Sequence, residues 1–244
     1  MLVKSEPAIL YFGTSVVLIS TVNEDGSYNV APMSSAFWLG WRCILGLAAV
    51  SQTPINMART NECVLNLASV DNVEAVNRLA KTTGTNPVPE VKVRRGYHFV
   101  RDKFEVGGLT PLRSETVSAP RVQECPVQME ARVEAIHGLA DDDPKQRGQR
   151  QVVEVRILRV HVDDSLLLNG EPNRIDPNRW RPLIMSFQQF YGLEGSQVHD
   201  SRLAEIPEHV YRGPDVDRAR DEPKRSGDQE VVRTRQAINE SAGN

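Results

Sequence analysis

Cysteine and histidine are scarce in this 244-residue sequence, and neither is arranged for metal or thiol chemistry. The three cysteines, Cys43, Cys63 and Cys125, are widely spaced and form no C-x-x-C pair, so nothing encodes a zinc ribbon or a dithiol redox centre. They read as small buried hydrophobes. The five histidines (His98, His137, His161, His199, His209) form no H-x-x-H or H-E-x-x-H, and no metal site is expected. An excess of one charge is missing too. With 29 basic and 32 acidic side chains the net charge is -3, which gives no global field for nucleic acid or an anionic membrane. The longest apolar stretch, residues 8–19, contains Gly13, Thr14 and Ser15. It is too short to cross a bilayer and lacks the basic start and small-residue cleavage site of a signal peptide. The sequence reads as that of a soluble, cytoplasmic protein. No G-x-G-x-x-G follows an apolar strand, so a Rossmann-type site has no support. No internal repeat is visible.

What is present is a succession of short apolar segments and turns, in a chain long enough to bury a real core. Residues 9–21 read as a buried strand ended by the hairpin turn Asn23-Glu24-Asp25-Gly26. A second strand runs from Tyr28 through Phe37, residues 38–41 turn the chain, and residues 43–50 form a third, continuously apolar strand. A helix follows, with Thr53 placed to cap it and Pro54 at its first position. Residues 63–67 make a fourth strand, and residues 70–81 a helix with Val73, Val76, Leu79 and Ala80 on one face. Residues 82–89 are a loop, and a helix is expected near residues 101–106. In residues 127–137, Val127, Met129, Ala131, Val133 and Ala135 alternate with Gln128, Glu130, Arg132 and Glu134. In the strand over 151–162 the apolar phase shifts between Ile157 and Leu158, which predicts a β-bulge. Strands joined by hairpin-length turns indicate a mainly β fold with short helices, an antiparallel barrel or sandwich. Residues 213–244 carry charges of both signs and few apolar side chains. They are expected to be a mobile tail on a domain spanning residues 1–212.

The chemistry concentrates in residues 29–66. Ala31, Pro32, Met33, Ser34 and Ser35 lie in a strand, and the proline removes a ladder donor, so this strand must be an edge or must bulge. Amides freed there, with two serine hydroxyls, suit a flat ring with polar edges. A bulged strand end with surface serines is the commoner explanation. Next, Ser51, Thr53 and Asn56 surround a strand-to-helix junction whose free amides and dipole attract an anion. Plain capping by Thr53 is the alternative. A ring-edge site and a phosphate site one strand apart match the reach of a ribityl chain.

These residues also carry a resemblance. Gly26, Asn29, Ala31, Pro32, Ser34, Ser35, Ser51, Thr53, Asn56, Glu62, Val64 and Asn66 resemble the pattern of the flavin reductase-like FMN-binding split barrels, flavoredoxin-type branch. Lys103-Phe104 with Gly108-Leu109-Thr110, then Ala119-Pro120-Arg121-Val122, Glu124-Cys125-Pro126 leading to Glu130, and His161-Val162-Asp163-Asp164 continue it. The similarity covers about residues 8–210.

The resemblance implies an antiparallel split β-barrel that binds FMN non-covalently. The backbone of residues 31–35 would border the isoalloxazine, and Ser51, Thr53 and Asn56 would hold the phosphate. Some relatives have arginine where Ser51 stands, so the phosphate would here rely on amides and hydroxyls. The implied activity is an NAD(P)H:flavin reductase passing hydride from NADH or NADPH to flavin N5, with no acid–base residue required. A homodimer and a monooxygenase partner go with it. An FMN-bound electron carrier without NAD(P)H turnover stays open, as does a non-catalytic barrel module for another phosphorylated ligand or a partner protein. Arg94, Arg95 and His98 are candidates for pyridine-nucleotide phosphates or plain loop charges. Residues 180–193 form a lid, a piece of core or a dimer interface. His161 faces the ring or is a satisfied strand histidine.

Overall fold

The computed structural model describes residues 1–193, 197–199 and 201–225. A two-residue strand, β1 (Thr14–Ser15), leads into β2 (Val17–Val22), β3 (Tyr28–Met33), β4 (Ala36–Leu39) and β5 (Arg42–Ala48). Helix α1 (Gln52–Thr60) and β6 (Glu62–Leu67) follow. After α2 (Val73–Leu79) and α3 (Lys103–Gly107), the two long strands β7 (Val127–Leu139) and β8 (Arg150–Val162) form a hairpin. A second hairpin, β9 (Leu183–Ser186) and β10 (Gln189–Gly192), precedes α4 (Pro214–Asp221).

Seven strands form one antiparallel sheet in the order β3-β2-β6-β7-β8-β5-β4. Its two edges, β3 and β4, are separated in sequence only by Ser34 and Ser35. The three backbone steps from Met33 to Ala36 span at most roughly 10 Å, whereas the edges of a flat seven-stranded sheet lie roughly 29 Å apart at about 4.8 Å per strand. The sheet must therefore roll until its edges meet at that link. No ladder joins β3 to β4 among the described residues, so the barrel is split there. Pro32 sits on the edge strand, where its missing donor costs no ladder bond. The single strand expected from Tyr28 to Phe37 is in fact two, because the chain leaves one edge and joins the other.

Burial explains the apolar runs. Val17 and Ile19 face a cluster with Leu45, Met57, Leu65, Val153 and Ile157, while Val16 and Leu18 pack with Val76, Leu79, Phe104 and Leu183. A strand covered on both faces needs no polar alternation. The expected bulge is present: Glu130 pairs with Arg159 and Ala131 with Ile157, leaving Leu158 as the extra residue. A second one was not foreseen. Val133 pairs with Val155 and Ala135 with Glu154, so the alternation in β7 holds only as far as Val133. The hairpin over residues 183–192 joins β1, and Leu183, Met185 and Phe190 pack on the core. Within the segment expected as a mobile tail, residues 214–221 form a helix against β8 with Ala219 buried. From residue 226 onward that expectation lies outside the described residues.

Candidate functional site

Strand β5 runs into α1 through Ser51, which occupies the N-cap position in extended conformation without a side-chain cap bond. Thr53 is thus not the cap; it lies in the first turn. The amides of Gln52 and Thr53 have no intrahelical carbonyl to bond. Pro54, at the third helical position and not the first, sacrifices no bond for the same reason.

Thr53 and Asn56 are buried in an internal network. Asn29 Nδ2 donates to Thr53 Oγ1 at 3.2 Å and to Thr21 Oγ1 at 3.3 Å. Asn56 Nδ2 donates to Thr21 Oγ1 at 3.0 Å and Asn23 Oδ1 at 2.9 Å, and Asn56 Oδ1 accepts from Gln52 at 2.8 Å. Both donors of Asn56 are therefore spent inside the protein, and its side chain ties α1 to the β2–β3 turn. The Ser51 hydroxyl makes no hydrogen bond among the described residues and is available to a ligand. Asn29 Oδ1 is buried without a partner.

A loop that the sequence marked only as a loop lies against this helix start. Thr85 Oγ1 donates to the Val50 carbonyl at 3.2 Å. A Cβ on Gly84 would come within 2.8 Å of Asn29 Oδ1 and 3.2 Å of Gln52 Cβ, so only glycine fits that approach. On the loop's other side Lys92 Nζ donates to Thr83 Oγ1 at 2.9 Å. Behind it stands Lys103 on α3, 2% exposed and without a carboxylate or hydrogen-bond partner among the described residues. Burial pushes the Lys103 ammonium down to about 7, and the nearby Lys92 charge pushes the same way. Burial also lowers Lys92. An unpaired buried cation is costly unless something anionic meets it. Sequence reasoning quoted Lys103 only within a family motif and passed over Lys92; the available signal was a lysine beside a core phenylalanine in a short helix.

The ring-side residues gather at the split of the barrel. Ala31, Pro32, Met33 and Ser34 are half-buried and Ser35 is exposed. The hydroxyls of Ser34 and Ser35 make no hydrogen bond among the described residues. The Ser35 carbonyl accepts from Gly46 N at 2.8 Å, and a Cβ on Gly46 would stand 3.2 Å from Ser35 Cβ. Trp38, packed like Met33 and Ala36 on the core inside the sheet, holds its indole N–H buried with no acceptor among the described residues. The residues first read as two separate features are thus joined through β5, which passes Ser35 at Gly46 and leads to α1, six residues later at Gln52.

Other motif residues hold structure. Glu62, Val64 and Asn66 share one face of β6 and fasten residues 114–122. Glu62 accepts from Ser118 N at 2.7 Å and Oγ at 2.6 Å, Val64 packs on Val117 and Ala119, and Asn66 Oδ1 accepts from Val122 N at 2.8 Å. Glu130, fully buried, accepts from Glu115 N at 2.9 Å, Thr116 N at 2.6 Å, Thr116 Oγ1 at 2.5 Å and His161 Nε2 at 2.8 Å. Burial raises its pKa, but the bonds from His161 and Thr116 win and hold it at about 2. His161 is a satisfied strand histidine. Arg94, Arg95 and His98 are exposed, and Arg94 pairs with Glu90. Two surface clefts of about 500 Å³ flank Tyr28, and neither is lined by residues 31–35 or 51–56.

A rolled antiparallel sheet, split at one seam, is a split barrel. The chain belongs to the flavin reductase-like family: the family model described as "Flavin reductase like domain" matches residues 9–194. It is 39% identical over 188 residues to the Bacillus subtilis (strain 168) protein YdfE, described as uncharacterized, covering 77% of this chain and 87% of that one. Flavoredoxin of Desulfovibrio vulgaris (Miyazaki F) superposes with a TM-score of 0.66 at 20% identity, over 84% of this chain and 100% of that chain. Nitrilotriacetate monooxygenase component B from Bacillus cereus gives a TM-score of 0.62 at 22% identity, over 77% and 87%. Among the described residues no helix is long and apolar enough to cross a membrane, and no cluster of side chains suits a metal ion.

Proposed function

We propose that the protein is an FMN-dependent NAD(P)H:flavin reductase of the cytoplasm, working as a homodimer and handing reduced flavin to a partner oxygenase. The observation that carries the reading is the buried, unpaired Lys103 near Lys92, which the loop over residues 83–85 links to the open first turn of α1. This donor set fits a phosphomonoester: two ammonium groups, the amides of Gln52 and Thr53, and the Ser51 hydroxyl. It replaces the arginine whose absence at Ser51 left the phosphate with amides and hydroxyls alone. Asn56 and Thr53 position the helix start through Asn29, Thr21 and Asn23.

From the phosphate pocket β5 leads to the seam, where the backbone of Ala31, Pro32 and Met33 and the hydroxyls of Ser34 and Ser35 would border the ring. The bound flavin supplies the hydride chemistry. The chain's part is to orient its ligands and offer donors to charge gathering on the ring edge. No side chain need move a proton. A nicotinamide must approach to about 3–3.5 Å for transfer, and the exposed face of Ser35 leaves the seam open to it.

The test is a visible spectrum of the purified protein with added FMN, followed by anaerobic NADH or NADPH. Flavin bands that bleach on adding nicotinamide are expected. Bands that persist would make the protein a carrier without NAD(P)H turnover, and no FMN uptake would overturn the reading.

A further inference from the structure

The face of the sheet opposite the barrel interior carries an unusual row. Arg42 on β5 pairs across the ladder with Arg156 on β8, and Arg156 pairs with Arg132 on β7. Three guanidinium groups thus stand side by side on adjacent strands, an arrangement that repels itself. Arg159 would face the other way in a regular strand, but the bulge at Leu158 turns it to the same side.

The sheet supplies only part of the countercharge, through Glu154 to Arg42 and Glu134 to Arg156, both at 2.7 Å. The rest comes from Glu115, which meets Arg159 at 3.5 Å, and from the C-terminal segment. Asp215 meets Arg42 at 2.9 Å, and Glu222 meets Arg132 at 2.8 Å and Arg156 at 3.9 Å. The Glu222 carbonyl accepts from Arg159 at 3.1 Å. Ala219 is the one buried residue of α4, so this segment is held by charge and hardly at all by apolar burial. The spacing fits. Seven residues of helix rise about 10 Å, and two strand-to-strand steps from Arg42 to Arg132 span about 10 Å. Arg159 Nε remains buried without an acceptor, a donor the present occupant does not use.

We propose that this arginine row is a docking surface for an acidic helical segment of a partner protein, with residues 214–222 as its resident occupant and competitor. Carboxylates seven residues apart around a small apolar residue define the ligand. Because ion pairs dominate, salt weakens the occupancy.

The test uses the full chain, wild type and D215N/E222Q, with a fluorescent synthetic peptide of the sequence of residues 213–225 as probe. Hydrogen exchange over residues 214–221 reports release of the helix, and D215K/E222K serves where the milder pair leaves it docked. Anisotropy should show the peptide binding the released variant about tenfold or more tighter than wild type, and weakening with salt. Adding R132Q should abolish it, with the thermal transition of each variant confirming its fold. Equal binding to wild type and released variant, or binding indifferent to R132Q, overturns the proposal. So does a released variant that prefers single-stranded RNA or anionic vesicles to the peptide.

Discussion

Replacing Lys103 by methionine keeps the length of the side chain and removes its charge, and the structure predicts opposite effects on stability and on binding. The ammonium sits 2% exposed with no anionic partner among the described residues, its pKa pushed by burial from 10.5 to about 7. The folded state therefore binds fewer protons than the unfolded state between about pH 7 and 10.5. Stability rises with pH across that window, and below pH 7 the full cost of the charge is present. At about 1.4 kcal/mol for each tenfold change in the acidity constant, the fall from 10.5 to about 7 corresponds to an upper limit of about 5 kcal/mol. Lys103→Met should accordingly stabilise the ligand-free protein at pH 6, by about 2–5 kcal/mol, and lose most of that advantage by pH 10. FMN affinity should fall by about 1.5–3 kcal/mol, roughly 10- to 150-fold, the worth of a hydrogen bond to a charged group. Riboflavin, which has no phosphate, should bind both proteins alike. Urea midpoints at pH 6 and pH 10, with flavin fluorescence quenching, read both effects. A variant that is less stable at pH 6, or that binds FMN as the wild type does, refutes the assignment of Lys103 to a phosphate.

Three further outcomes follow from the same geometry. FMN binding at pH 8 should take up nearly one proton, because the phosphate restores a charge that Lys103 has mostly lost at that pH; calorimetry in buffers of different ionisation enthalpy measures it. Asn56→Ala should lower stability by about 2–3 kcal/mol while changing the FMN dissociation constant of the folded protein less than about threefold, since its amide serves Thr21, Asn23 and Gln52. A direct phosphate role would show as a larger loss of affinity. Glu130 has its folded pKa depressed to about 2 from 4.5, so its contribution, about 3 kcal/mol, is present above pH 4.5 and vanishes as pH falls towards 2. Urea unfolding of Glu130→Gln should therefore show a deficit at pH 7 that narrows at pH 3, and an equal deficit at both would disprove the linkage.

Much of the fold could be read in advance where local rules and tertiary packing agree. The apolar run through Val17 and Ile19, the Asn-Glu-Asp-Gly turn and the phase shift at Leu158 each correspond to a strand, a hairpin and a bulge. Pro32 announced an edge strand because a proline cannot serve two neighbours. Less could be read where one side chain has two possible partners. Thr53 looked like a cap from its position before Pro54, yet the extended backbone at Ser51 moved the helix start, and Asn29 claimed the threonine hydroxyl. Asn56 looked free to meet a ligand, but Thr21 at the end of β2 and Asn23 in the following turn take its donors. Of the charged stretch 213–244, expected to stay mobile for lack of apolar surface, residues 214–222 lie against the sheet because Arg42 and Arg132 bind Asp215 and Glu222.

The sequence by itself determined the strand pattern, the edge at Pro32 and the family, because periodicity and turn chemistry act between near neighbours. Only the tertiary structure decided which charges stand alone. Lys103 and Lys92 are 11 residues apart and both lie far in sequence from Ser51, and nothing local tells a buried lysine from a solvated one. Rolling the sheet brings that pocket, the seam at Ser34 and Ser35 and the arginine row into being together. Each depends on strands made neighbours by long-range pairing, a quantity no short window of residues contains.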